Sequence, residues 1–265
     1  MDRPLDVADL EALKAARRLL ENPGLAARMT DLIGAPIEKG LGMLPASWHG
    51  RIADLTRTAL SKAADAAIFT LEDVPGGGSS DKWHKWGAAL SGGVGGFFGI
   101  AGLAVELPVS TTLMMRSIAA IARSEGESLR DADTRRACLM VFAMGGRADA
   151  DDAAESGYYA VRVALARAVG QAADYLGAKV AADKAAAPAM VRLISIVADR
   201  FGIQVTEKVA AQAVPALGAA GGAVINTLFI DHFQDVARGH FIVRRLERKY
   251  GEDAVHAAYL ALESR

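Results

Sequence analysis

Apolar residues recur at three- and four-residue intervals along most of the chain, and nowhere do they alternate with a period of two for more than a few residues. That spacing marks amphipathic helices rather than strands. It predicts an all-α fold, a multi-helix bundle. The first helix covers Asp6 to Leu20, with Val7, Leu10, Leu13, Ala16 and Leu20 on one stripe, and Asn22-Pro23-Gly24 stops it. Leu25 to Ile33 forms a short helix closed by Gly34, and Gly34 to Gly42 reads as loop or a single turn. Pro45-Ala46-Ser47 leads into a long helix from Trp48 to Leu71, with Ile52, Leu55, Leu60, Ala64 and Ile68 along one side.

Two stretches depart from this pattern. Trp86–Val105 is twenty residues without a charge, seven of them glycine, and Val209–Ile230 is a further twenty-two. Both reach the length of a bilayer span. Glycine inside a helix costs about 1 kcal/mol against alanine, so this composition argues for close helix packing over a simple span. The spacing agrees. Gly92 and Gly96, Gly95 and Gly99, and Gly218 and Gly222 each stand four apart, which lets helix backbones approach. The economical reading makes both runs core helices, packed on each other. Glu106 and Pro108 end the first run. Pro108 then sits in the first turn of a helix that carries Leu113, Met114, Ile118 and Ile121 and stops at Gly126. Asp231 ends the second run, and the helix after it stops at Gly251. The two segments read either as a duplicated helical hairpin or as a likeness of composition.

Further helices are expected over Asp131–Gly145, Ala153–Gly177, Ala178–Phe201 and Asp253–Glu263, with Gly202 opening a short connection to Val205. The clearest interruption is EDVPGGGSS, Glu72 to Ser80, a flexible composition. The expected organisation is an N-terminal helical section, 1–72, a Gly/Ser-rich loop, 73–80, and a helical core, 81–265, that takes in 44–72 as one domain.

Composition narrows the function. The 265 residues suffice for a large core, and 52% of them are apolar. The mean hydropathy of +0.19 is high for a soluble enzyme and low for a polytopic membrane protein. A net charge of −1 gives no field to recruit nucleic acid. Cys138, the sole cysteine, lies in an apolar run and reads as a small buried residue in a reducing compartment. The N-terminus is acidic and amphipathic, without the basic and apolar regions of a signal peptide. The expected location is cytoplasmic, with a peripheral seat on the inner membrane.

Catalytic constellations are hard to find. Asp231, His232, Asp235 and His240 lie close in sequence, but a helix turns 100° per residue and scatters them over several faces, whereas a metal needs convergent ligands. His232 falls among Val236, Val243 and Tyr250 and reads as a satisfied core histidine. Asp149 to Glu155 lacks the glycine and bidentate glutamate of a calcium loop. The run GGVGG has no Gly-Lys-Ser/Thr and no preceding strand, so it is no phosphate loop. No metal, cofactor or catalytic residue is expected.

Apolar and interfacial marks are more numerous. Trp83 and Trp86 flank His84-Lys85 before the first uncharged run, as at a membrane interface or the rim of a core. Phe97 and Phe98 lie in that run. Met114 and Met115, with Met140 and Met144, are adaptable side chains suited to lining an apolar cavity. On the last long helix Val236, Ile242, Val243, Leu246 and Tyr250 form an apolar arc, and Arg238, Arg245 and Lys249 cluster opposite. The cluster reads as a solvated face or as a contact for anionic head groups, each cation near a membrane being worth about 1 kcal/mol.

Leu44-Pro45, Glu106-Leu107-Pro108, Gly218-Ala219 with Asn226 after Pro215, and the run from Ala237-Arg238-Gly239-His240-Phe241 to Arg244-Arg245-Leu246 together resemble the EcsC protein family, from Leu44 to Gly251. The resemblance implies a bacterial helical protein associated with an ABC transporter. The peptidase label borne by some members is not carried over, because the sequence holds no protease constellation. The leading expectation is a non-enzymatic helical protein that binds lipid or another apolar ligand. An interaction module regulating a transporter or secretion system is the alternative, and a hydrolase a remote third.

Overall fold

The computed structural model describes residues 4–21, 25–34, 37–70, 99–145, 157–177, 182–213 and 218–262. Among these the chain forms ten α-helices and no strands: α1 (Val7–Leu20), α2 (Leu25–Ile33), α3 (Ile37–Met43), α4 (Ala46–Thr70), α5 (Gly99–Ser124), α6 (Ala132–Met144), α7 (Gly157–Gly177), α8 (Ala182–Ala213), α9 (Gly218–Tyr250) and α10 (Glu252–Ala261). The fold is an all-α multi-helix bundle. The loop 73–80 and the calcium-like loop lie outside the described residues.

Helix ends follow local chemistry. Asp6 caps α1 by accepting from the Asp9 amide at 2.8 Å, and Asp131 caps α6 through the Asp133 amide at 2.9 Å. Gly126 stops α5 with φ +82°, and the Glu127 amide turns back to the Ala122 carbonyl at 3.0 Å. Only glycine enters that left-handed region freely, and the returning bond satisfies a carbonyl the helix leaves open. Gly251 ends α9 at φ +92°.

Three elements differ from the sequence expectation. The segment expected as loop or a single turn contains helix α3. An added Cβ at Gly40 would stand 2.2 Å from the Ala210 carbonyl oxygen, so this glycine serves a close crossing of α3 over α8 rather than a loop. Helix α5 does not begin at Pro108 but runs through it. Proline leaves the Ala104 carbonyl without a helical donor, and Ala104 is exposed, where water can serve it. Helix α8 likewise continues through Gly202, because Phe201, Val205, Val209 and Ala210 keep one face buried. Helix α5 thus includes Glu106, expected to precede it, whereas α9 carries the second Gly-rich segment past Asp231 in one long helix, as the sequence after Pro215 leads one to expect.

Helix α9, 33 residues long, is the spine. Helices α1, α5, α6, α8 and α10 pack against it, and α4 lies along α5 and α8. The core centres on Phe142, Phe201, Phe229 and Phe233, with ring centroids 4.9–5.9 Å apart. A second aromatic group, Tyr158, Tyr159 and Tyr259, joins α7 to α10 beside α9. Cys138 is buried, and desolvation pushes its thiol up to about 12, which leaves it unreactive.

Candidate functional site

Polar groups concentrate along α9 in three places. Near its start, Lys208 of α8 is fully buried. Its ammonium donates to Glu106 of α5 at 2.5 Å and to Asn226 of α9 at 2.8 Å, and stands 4.9 Å from the Phe229 ring centroid. Each direction available to the amine therefore has a partner, which is the condition for burying a charge.

Midway, the His232 ring Nε2 lies 2.6 Å from the Gly145 carbonyl oxygen. A Cβ at Gly145 would come within 2.9 Å of that ring nitrogen and 2.8 Å of Phe233, so the end of α6 presses directly on α9. His232 is the satisfied core histidine read from the sequence. Desolvation lowers its basicity and keeps it neutral.

The third place is the densest. The His240 Nδ1 lies 2.9 Å from the Tyr158 hydroxyl. Arg162 donates to the same hydroxyl at 3.4 Å, and the His240 Nε2 is buried without a hydrogen-bond partner. Arg162 also forks onto Glu247 at 2.6 and 2.7 Å. The Tyr159 hydroxyl is buried without a hydrogen-bond partner, and burial, with Glu247 nearby, raises its phenol. Burial, reinforced by the nearby Arg162 and Arg244, holds His240 well below an ordinary imidazole. Burial raises the Tyr158 phenol, so the network is fixed in one protonation state near neutrality.

Beside it, the turn after α5 sets Glu125 and Glu127 against the arginines of α9. Arg244 reaches Glu127 at 2.8 and 3.3 Å, and Arg248 pairs with the same carboxylate. Thr134 donates to Glu127 at 2.8 Å. Burial works to raise the Glu127 carboxyl, but the bonds from Arg244 and Thr134 prevail and hold it below its ordinary value. Arg245 spans Glu125 at 2.7 Å and Asp9 of α1 at 3.3 Å. Lys249 donates to Asp9 at 2.5 Å and Asp6 at 3.1 Å, and the Tyr250 hydroxyl lies 2.9 and 3.0 Å from the same two carboxylates. The Asp9 amide, then Lys249 and Tyr250, lower the Asp6 carboxyl to about 2.

The expected site residues fall as follows. Arg238, Arg245 and Lys249 are partly exposed on α9, but each meets an acidic side chain of this chain, Arg238 through Asp235 at 3.0 Å. Met114 and Met115 are buried in the core. Gly99 and Gly218 begin α5 and α9, and Gly222 lies in the first turns of α9. Trp83, Trp86, Phe97, Phe98, Gly92, Gly95 and Gly96 lie outside the described residues. Sequence reasoning missed Lys208, Tyr158, Arg162 and Glu247. A signal existed for two of them: Lys208 continues the buried positions Phe201, Gln204 and Val205, and Glu247 follows Val236, His240 and Val243 at helical spacing.

A family model, the EcsC protein family, matches residues 8–246. The chain belongs to the EcsC family. Several of the marks that carried the resemblance take defined places in this EcsC structure, while Pro215 lies outside the described residues. Glu106 and Asn226, 120 positions apart, meet at Lys208. Gly239 lies against α1, where a Cβ would come within 2.6 Å of Leu20 Cγ and 2.9 Å of the Ala16 carbonyl. His240, Arg244 and Arg245 build the third cluster. Curated proteins and solved structures give no match to this EcsC chain.

Proposed function

We propose that this protein is a non-enzymatic helical protein that binds lipid, or an apolar ligand like it, from a peripheral seat on the membrane. One observation carries the reading. Val105 and Val109 of α5, one helical turn apart, are 68% and 42% exposed. Both lie within the 23-residue stretch Gly102–Ser124, which by length and composition could cross a membrane. Removing a valine side chain from water is favourable by about 1.5 kcal/mol or more. An apolar stripe on such a helix is what a hydrocarbon surface accepts.

The test is cosedimentation with neutral phosphatidylcholine vesicles. Val105→Asn/Val109→Asn alters apolarity without altering charge, and should weaken binding roughly tenfold. Circular dichroism should be unchanged, because exposed substitutions are usually mild. Native mass spectrometry of the wild type should show co-purified lipid. Absence of lipid together with equal sedimentation of both proteins would sink the proposal, and would favour a protein partner for the same stripe.

A further inference from the structure

We propose that α1 is a built-in cover, whose carboxylates Asp6 and Asp9 neutralise Arg245 and Lys249 and keep them from anionic lipid head groups until α1 is displaced from α9. The inference rests on the lipid-binding reading and adds how access to the basic side of α9 is controlled.

Charge balance is the first ground. In the ion-paired patch Arg244, Arg245, Arg248 and Lys249 face Asp6, Asp9, Glu125 and Glu127. Four cations meet four carboxylates. Lifting α1 removes two of the carboxylates and leaves the four cations facing two. Arg245 and Lys249 of the basic arc thus gain an excess of positive charge around them only without α1.

The position of α1 is the second ground. It lies on the outside of the bundle, along α9 and, at its end, against α10. There Glu21 accepts from the Tyr259 hydroxyl at 3.1 Å and Arg17 stands over the Tyr259 ring. Leu13 and Ala16 join the buried core from α1, but none of its four packed phenylalanines comes from α1, so their ring contacts do not depend on it. Its buried face joins the apolar Leu13 and Ala16 to the carboxylate of Asp9, so apolar packing and ion pairing hold the same side of the helix to α9. The low carboxyl of Asp6 means mild acid does not open the clasp. A surface dense in anions does, by competing for Arg245 and Lys249.

The experiment uses the full chain and vesicles of phosphatidylcholine with or without phosphatidylglycerol. Asp6→Asn/Asp9→Asn should bind the anionic vesicles at least about fivefold more tightly than wild type, with neutral vesicles unchanged. Asparagine caps helices as well as aspartate does, so α1 persists. Asp54→Asn/Asp199→Asn, on exposed faces of α4 and α8, makes the same change in net charge and should give no comparable gain. Adding Arg245→Gln/Lys249→Gln to the α1 variant should erase the gain, whereas the same pair in the wild type should change little. A gain equal to that of the distant control, or one that survives loss of Arg245 and Lys249, overturns the cover. Failure of every variant to bind any vesicle overturns the lipid reading itself and this inference with it. Loss of binding in Val105→Asn/Val109→Asn alongside an unresponsive α1 variant overturns the cover alone.

Discussion

His240 and His232 are neutral in the folded chain, and burial is the main reason for both. The unfolded chain takes up a proton at each below the ordinary value of 6.5, while the folded chain lags. Stability is therefore fully present above that pH and falls as the pH drops through it, by at most about 1.4 kcal/mol per unit for each histidine. Urea unfolding between pH 7 and 5 should show this slope, and His240→Gln should remove one histidine's share. Equal slopes in the two proteins would place the proton uptake elsewhere. Lys208 carries a second prediction. Lys208→Met strands Glu106 and Asn226 and should destabilise by about 3 kcal/mol, because breaking a buried pair exposes the cost of burying its members. Lys208→Met/Glu106→Met should recover much of that loss. A double variant no better than the single one, by urea midpoint, would show that the pair acts through more than charge.

At the scale of helices, two glycines inside long helices have opposite expectations. Gly239→Ala drives a methyl into Leu20 and the Ala16 carbonyl, and should cost about 1–3 kcal/mol. Gly202→Ala meets nothing within 4 Å in the middle of α8 and should stabilise by about 0.5–1 kcal/mol. Thermal melting of the two variants distinguishes them by sign. The same contrast explains what the sequence disclosed. Helices α1 and α2, and the stops at Gly126 and Gly251, were legible because an N-cap aspartate or a left-handed glycine acts through its nearest neighbours. Pro108, Gly202 and Gly40 were misread because their local preference yields to tertiary packing. Nothing near Gly40 in the sequence announces Ala210.

Over the whole molecule, the site was less legible than the fold. The arc Arg238, Arg245 and Lys249 was visible as a pattern on one helix, but the pairing of Arg245 and Lys249 with carboxylates of α1 was not. A helical wheel reports which residues share a face and says nothing of what lies opposite. Asp6 and Lys249 are separated by 243 positions, and Tyr158 and His240 by 82. That first separation bears on how the molecule is made. At ribosomal speeds of about 5–20 residues per second, α1 emerges roughly 10–50 s before the end of α9 exists to receive it. Throughout that interval Leu13 and Ala16 have no α9 to cover them. Helix α1 is thus made well before the partner it docks on, and it can settle only after the end of α9 has emerged.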